Sequence, residues 1–114
     1  MEDCVFCKII DGELKTKVVY RDDEMIAIND INPQAPVHIL IMPLKHISTL
    51  DELTPEDASS IGRLIIKGKE LALQNPGLEK GYRMILNCNA MGGQAVYHIH
   101  VHVLGGRRMT WPPG

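Results

Sequence analysis

Three of the chain's five histidines stand at strict alternation in Tyr97-His98-Ile99-His100-Val101-His102-Val103. The residues between them are β-branched, so an extended strand is the natural conformation. On a strand, alternate side chains share a face. The three imidazoles then stand roughly 7 Å apart in one row, while Tyr97, Ile99, Val101 and Val103 point into a core. A helix would throw His100 to the side opposite His98 and His102. A neutral imidazole nitrogen is a competent nucleophile once a neighbour fixes its tautomer. Flanking histidines can supply protons to a phosphoryl oxygen or a leaving group. Just upstream, Gly92-Gly93-Gln94 offers a turn whose N–H groups can face phosphate oxygens. The pattern predicts attack on phosphorus by His100. A plain metal site is the competing chemistry, because histidines two apart on a strand can ligate zinc. No carboxylate lies close in sequence to complete a catalytic metal centre.

These side chains need a scaffold, and the chain supplies an alternating set of short elements. Cys4 to Ile10 reads as a short helix closed by Asp11-Gly12. Lys17 to Tyr20 and Met25 to Asn29 read as strands joined by the polar turn 21–24. Asn32-Pro33-Gln34-Ala35-Pro36 is a rigid loop, since two prolines forbid helix and ladder alike. Val37 to Met42 is a nearly unbroken apolar run, hence a buried strand interrupted only by His38. The long helix is expected from Pro55 to Gln74, with Thr54 as N-cap and Asp57 completing a capping box. Ala58, Ile61, Leu64, Ile65, Leu71 and Ala72 form its apolar face, and Asn75-Pro76-Gly77 stops it. Residues 84–86 and Val96 to Leu104 complete the strands. Strands, helix, strands predicts an α+β fold with a largely antiparallel sheet of about five strands and the long helix on one face.

The chain has 114 residues, one domain's worth, with 45% hydrophobic residues but only 4% aromatic, so aliphatic packing must carry the core. A net charge of -2 argues against broad binding to nucleic acid, which needs a basic face. It leaves room for a small anionic ligand. No apolar run approaches a membrane span, and no signal peptide is evident at the N-terminus. Three cysteines, with Cys4 and Cys7 in a C-x-x-C, fit a reducing, cytoplasmic compartment.

His98-Ile99-His100-Val101-His102-Val103-Leu104 resembles the signature of the histidine triad (HIT) superfamily, His-φ-His-φ-His-φ-φ with φ apolar. The likeness is to its histidine triad nucleotide-binding (HINT) branch. It extends through 30–38 from Asp30 to His38, Gly81-Tyr82-Arg83-Met84, Gly92-Gly93-Gln94 and Trp111-Pro112-Pro113-Gly114. The resemblance implies a homodimer whose sheet continues across the two-fold axis, and a purine nucleoside phosphoramidase or acyl-nucleotide hydrolase. His100 would form a covalent nucleotidyl-histidine, with His102, His98 and His38 as its catalytic companions and no cofactor required. Asp30 would bind the ribose hydroxyls beside Ile31. Asn87, Gly93, Gln94, Ala95 and His102 would contact the phosphate. Val5, Phe6, Ile9, Ile28 and Leu40 would line the base slot, with ordinary core packing as the alternative for the first three. Trp111 would reach toward the other subunit's site. Position 95 departs from many relatives, which carry a hydroxyl residue there. Ala95 keeps only its N–H, which leaves open a nucleotide- or zinc-binding interaction module with vestigial catalysis.

The resemblance also implies a structural zinc held by Cys4, Cys7, His46 of Pro43-Leu44-Lys45-His46, and His98. Two thiolates and two imidazoles make a closed tetrahedral site. Two free thiols are the alternative. Cys88 reads as a small buried hydrophobe.

Overall fold

The apolar run of β3 has side chains pointing both ways, and the fold gives each set its own partner. The structure is a computed structural model and describes residues 3–114. In chain order the elements are α1 (Val5–Ile10), β1 (Val18–Arg21), β2 (Met25–Asn29), β3 (Val37–Pro43), α2 (Ala58–Leu73), β4 (Tyr82–Ile85) and β5 (Val101–Gly105). The strands form one antiparallel sheet in the order β1-β2-β3-β5-β4. This is the expected α+β architecture, with one long and one short helix.

Alternation sorts the side chains. Met25, Ala27, Ile39, Ile41, Val101 and Val103 face α2 and pack on Leu64, Leu71 and Ala72. Ile26, Ile28, Leu40 and Met42 face the other way and pack on Phe6 of α1. The second face is only partly covered, and it carries His38 and His102.

The long helix is preceded by a single 3-10 turn, Pro55–Asp57, so its α-helical part begins at Ala58. The capping box is present: the Thr54 N–H donates to Asp57 Oδ2 at 3.0 Å. Gln74 caps the far end, just before Asn75-Pro76. The buried face is Leu64, Gly68, Leu71 and Ala72, with Ile61 half-buried beside it. Ala58 and Ile65, expected on that face, are exposed. Gly68 explains the rotation. A Cβ there would run into the Met84 side chain and sit 3.3 Å from Val103 and 3.4 Å from Ile41, so the helix lies close against the sheet at this point.

The last strand begins at Val101 and not at Val96. Its neighbour β3 stops at Pro43, which has no N–H to donate to a ladder, and β4 stops at Ile85. Residues 96–100 are held by other bonds, among them Ile99 N–H to the Ile47 carbonyl at 2.7 Å. Ile99, Val101 and Val103 are buried as expected, whereas Tyr97 is 44% exposed. β4 likewise runs over 82–85, two residues earlier than the expected start.

Gly105 lies between Val37 and Tyr82 in the sheet. A Cβ there would collide with the buried Leu78 side chain and come within 3.3 Å of Tyr82 Cβ. Gly105→Ala should therefore lower unfolding stability by about 1–3 kcal/mol. Gly62→Ala, in α2 with open space around it, should raise stability by about 0.5–1 kcal/mol. Urea titrations of the two variants check both signs.

Candidate functional site

β3 and β5 run side by side, with Leu40 opposite His102 and His38 opposite Leu104. This brings the His38 and His102 rings together on the sparsely covered face. His38 Nε2 lies 2.9 Å from His102 Nδ1. The hydrogen bonds around them assign the protons. The Gln34 N–H donates to His38 Nδ1 at 3.0 Å, so in neutral His38 the proton sits on Nε2. That Nε2–H donates to His102 Nδ1, with Asp30 Oδ2 3.4 Å away on its other side. His102 therefore carries its own proton on Nε2. His100 is fixed differently: its Nδ1–H donates to the backbone carbonyl of His98 at 2.7 Å. The Nε2 of His100 is left with a free lone pair. The His100 and His102 rings are 4.9 Å apart between centroids.

Burial favours the neutral form of each ring. It pushes His100 below the ordinary imidazole value, against the opposing pull of the His98 carbonyl and Asp30. It pushes His102 down to about 4, helped by His100 and His38. His38 is lowered by burial and partly restored by Asp30. At neutral pH the site presents one lone pair and one N–H donor side by side.

A cavity of about 400 Å³ opens over His100 and His102. Its lining includes Val5, Phe6, Ile9, Ile28 and Leu40, together with Asp30, Ile31, Ala95 and Val96. The expected base-slot residues are thus brought together, and three of them come from α1. Phe6 belongs to the core as well, packing edge-on against His100 at 5.0 Å between ring centroids. Asp30 is oriented by the Asn32 N–H, which donates to its Oδ1 at 2.9 Å. Ile31 is almost fully exposed at the mouth.

The glycine-rich loop is held from within. The Gln94 side chain is buried. Its Oε1 accepts from the Asn89 N–H at 2.8 Å, and its Nε2 donates to the Ser48 and Val96 carbonyls. Asn87 Nδ2 donates to the Gly92 carbonyl at 2.7 Å. Gly93 turns the loop at φ +80°. The side chains of Asn87 and Gln94 thus brace the loop, and Ala95 lines the cavity.

His98 does not stand in the row expected of it. Its Nε2–H donates to the Pro43 carbonyl at 2.7 Å, which leaves the Nδ1 lone pair facing Cys4, Cys7 and His46. The ring is fully buried. It contributes to the His100 side through its main-chain carbonyl, not as a proton donor to the cavity. The reason is the missing ladder at 96–100, which frees the His98 ring to turn toward α1.

The four side chains expected to hold metal converge. His98 Nδ1 is 3.5 Å from Cys4 Sγ, 3.6 Å from Cys7 Sγ and 3.2 Å from His46 Nδ1, and Cys7 Sγ is 3.3 Å from His46 Nδ1. A tetrahedral zinc with ordinary bond lengths sets its ligand atoms about 3.3–3.8 Å apart, so the residues fit the ion. The Pro43 carbonyl fixes the tautomer of a ligating imidazole. Burial and the adjacent Cys4 thiol push Cys7 up to about 11.

Sequence reasoning missed the backbone groups of Gln34 and Pro43, which set the tautomers of His38 and His98. It also missed Thr16 in the cavity wall. A backbone group leaves no mark in residue type. Trp111 is 81% exposed and lies near Arg83 of its own chain. Cys88 is only half-buried, with its thiol 3.8 Å from Thr49 Oγ1.

Residues 3–110 match the family described as "Scavenger mRNA decapping enzyme C-term binding". An uncharacterised HIT-like protein of Synechococcus elongatus is 48% identical over 113 residues, 99% of this chain and 98% of that protein. The crystal structure of a HIT family hydrolase from Legionella pneumophila superposes with a TM-score of 0.95 at 49% identity, covering 98% of this chain and 100% of the other. A zinc-bound histidine triad family protein from Mycobacterium smegmatis gives a TM-score of 0.82 at 28% identity, covering 93% of this chain and 76% of the other. With its alternating histidines, its sheet and these relatives in agreement, the chain belongs to the histidine triad (HIT) superfamily.

Proposed function

We propose that this chain is a purine nucleotidyl hydrolase of the HINT branch, one that cleaves the P–N bond of nucleoside phosphoramidates or the P–O bond of acyl nucleotides. The observation that carries the reading is the His100 tautomer. With Nδ1–H bound to the His98 carbonyl, Nε2 faces the cavity as an unprotonated nucleophile. The base lies in the apolar slot of Val5, Phe6, Ile9, Ile28 and Leu40, and Asp30 accepts from the ribose hydroxyls. His102 Nε2–H and the Ala95 N–H serve the phosphoryl oxygens, while the Gly93 and Gln94 N–H groups hold the loop by donating to the Ala90 and Asn89 carbonyls. His100 Nε2 attacks phosphorus, the P–N bond breaks, and the amine leaves with the bonding pair. Water then attacks phosphorus and the P–Nε2 bond breaks. The amine takes a proton from solvent as it leaves, and the attacking water gives its hydroxyl to phosphorus and returns a proton to solvent.

Zinc, when bound by Cys4, Cys7, His46 and His98, supplies cross-linking of α1 to the 43–46 and 98 segments and no catalytic step. A second copy of the chain is the natural partner of β4, the sheet's edge strand next to β5, and the exposed Ile65 and Ile66 of α2 and Tyr82 support that reading. Among the described residues no helix is long and apolar enough to cross a membrane. The reading takes one domain over 1–114, working in the cytoplasm.

His100→Asn should cut hydrolysis of an adenosine phosphoramidate by roughly a thousandfold or more while AMP still binds. Intact mass of the wild type after brief mixing should reveal an adduct on His100. AMP binding with neither turnover nor adduct would favour the vestigial binding module.

Zinc should raise the melting temperature of the wild type by about 4 °C or more and leave Cys7→Ser unmoved. Chelation, at a temperature where the fold holds, should spare hydrolysis.

His102 titrates near 4 in the folded chain against 6.5 ordinarily. Between those values the unfolded chain binds more protons. Its share of stability should be intact above pH 6.5 and fall as pH drops toward 4. Urea midpoints at pH 7.5 and 5 check the direction, and His102→Gln should narrow the difference.

A further inference from the structure

His102 and His38 separate two cavities. Beyond the base slot, a second one of about 270 Å³ is lined by Gln34, His38, His102, Asn87, Arg83 and Arg107, among others. The two share Gln34, His38 and His102, whereas His100 lines only the first. The second cavity follows from the sheet. Arg83 lies opposite Leu104 and Ile85 opposite His102, so β4 extends the histidine face to the edge of the sheet.

The two ends differ in charge. Asp30 is the one charged side chain lining the base slot, and no aspartate or glutamate lines the second cavity. Its charged groups are the Arg83 and Arg107 guanidiniums, and neither takes part in an ion pair among the described residues. Both are held in place by main-chain oxygens. Arg83 Nη2 donates to the Thr110 carbonyl at 2.8 Å, with the Trp111 ring beside it. Arg107 Nε donates to the Gln34 carbonyl at 3.1 Å and Nη1 to the Arg108 carbonyl at 3.3 Å. A guanidinium has five N–H donors, so most remain free on each. The chain as a whole is acidic, with a net charge of -2. Two arginines without a carboxylate partner, fixed at one cavity, therefore mark a place for an anion.

In-line displacement gives that place a role. The leaving group departs from phosphorus on the side opposite the attacking nitrogen. His100 attacks from the base-slot side, so the leaving group exits past His102 into the cavity that His100 does not line. We infer that Arg83 and Arg107 form a leaving-group subsite selecting amines that carry an anionic substituent, a carboxylate or a phosphonate-like group, close to the scissile nitrogen. The inference rests on the reading of His100 as nucleophile and deepens it by naming the substrate class.

Three adenosine phosphoramidates test it: those of glycine, aminomethylphosphonate and glycinamide, matched in size and differing in charge. For the wild type, kcat/KM should be about fivefold or more higher for at least one anionic amine than for the neutral amide. That advantage should shrink as salt rises. Whichever anion leads identifies the source of the charge. Arg83→Gln and Arg107→Gln should each collapse the anionic-to-neutral ratio toward one, and Arg83→Lys should keep part of it. No preference in the wild type, or an equal loss on all three substrates in the variants, would overturn the subsite. If no conjugate is turned over, the catalytic reading fails separately. Calorimetric affinities of the His100→Asn protein for the same three compounds then decide the subsite alone: an anionic preference that Arg83→Gln removes sustains it, and equal affinities end it.

Discussion

The hydrogen bond from His100 Nδ1 to the His98 carbonyl is the contact on which the site depends. It sets the tautomer of the His100 ring with a backbone oxygen, a group that neither titrates nor swings away. The ring of the same His98 is held through Nε2 by the Pro43 carbonyl, and its Nδ1 meets Cys4, Cys7 and His46. One residue thus joins the thiol cluster to the His100 ring without sharing a titrating atom. An ion in that cluster would fix the His98 ring, and through it the carbonyl that orients His100.

The sheet makes this arrangement affordable in polar terms. Buried imidazoles left without partners would each cost a desolvation penalty, yet among the described residues no buried side-chain nitrogen or oxygen lacks one. Alternation on β3 and β5 sends Ile39, Ile41, Val101 and Val103 to the α2 core and leaves His38 and His102 on the other side. The α2-side core and the paired histidines therefore share strands without sharing a face. Phe6, Ile28 and Leu40 are the exceptions, since they belong to the second core and also line the cavity over His100.

Charge is graded along the groove. An apolar slot with one carboxylate, a central pair of neutral histidines and a cationic far end follow one another across β2, β3, β5 and β4. Such a gradient is complementary to a molecule with an apolar end and an anionic end.

Much of this was legible in the residues themselves. The five strands, the capped long helix, the helix-forming C-x-x-C segment and the pairing of His100 with His102 all follow from period, caps and side-chain type. The resemblance to histidine triad proteins named the apolar slot with Asp30 and the four metal-competent side chains by residue, and the structure brings each of these sets together, whereas Asn87, Gly93, Gln94 and Trp111 do not line the cavity over His100. What local pattern could not decide was where a ladder ends. Pro43 terminates β3, so His98 leaves the strand geometry that its spacing suggested and faces another site. Nor could pattern reveal that Gln94 braces its own loop, that Gln34 and Pro43 fix ring protons through main-chain atoms, or that Arg83 and Arg107 meet at one cavity. Those are contacts between distant segments, and several run through backbone groups common to every residue. Sequence determines which chemistry is available, and tertiary packing decides which atom of each ring faces which partner.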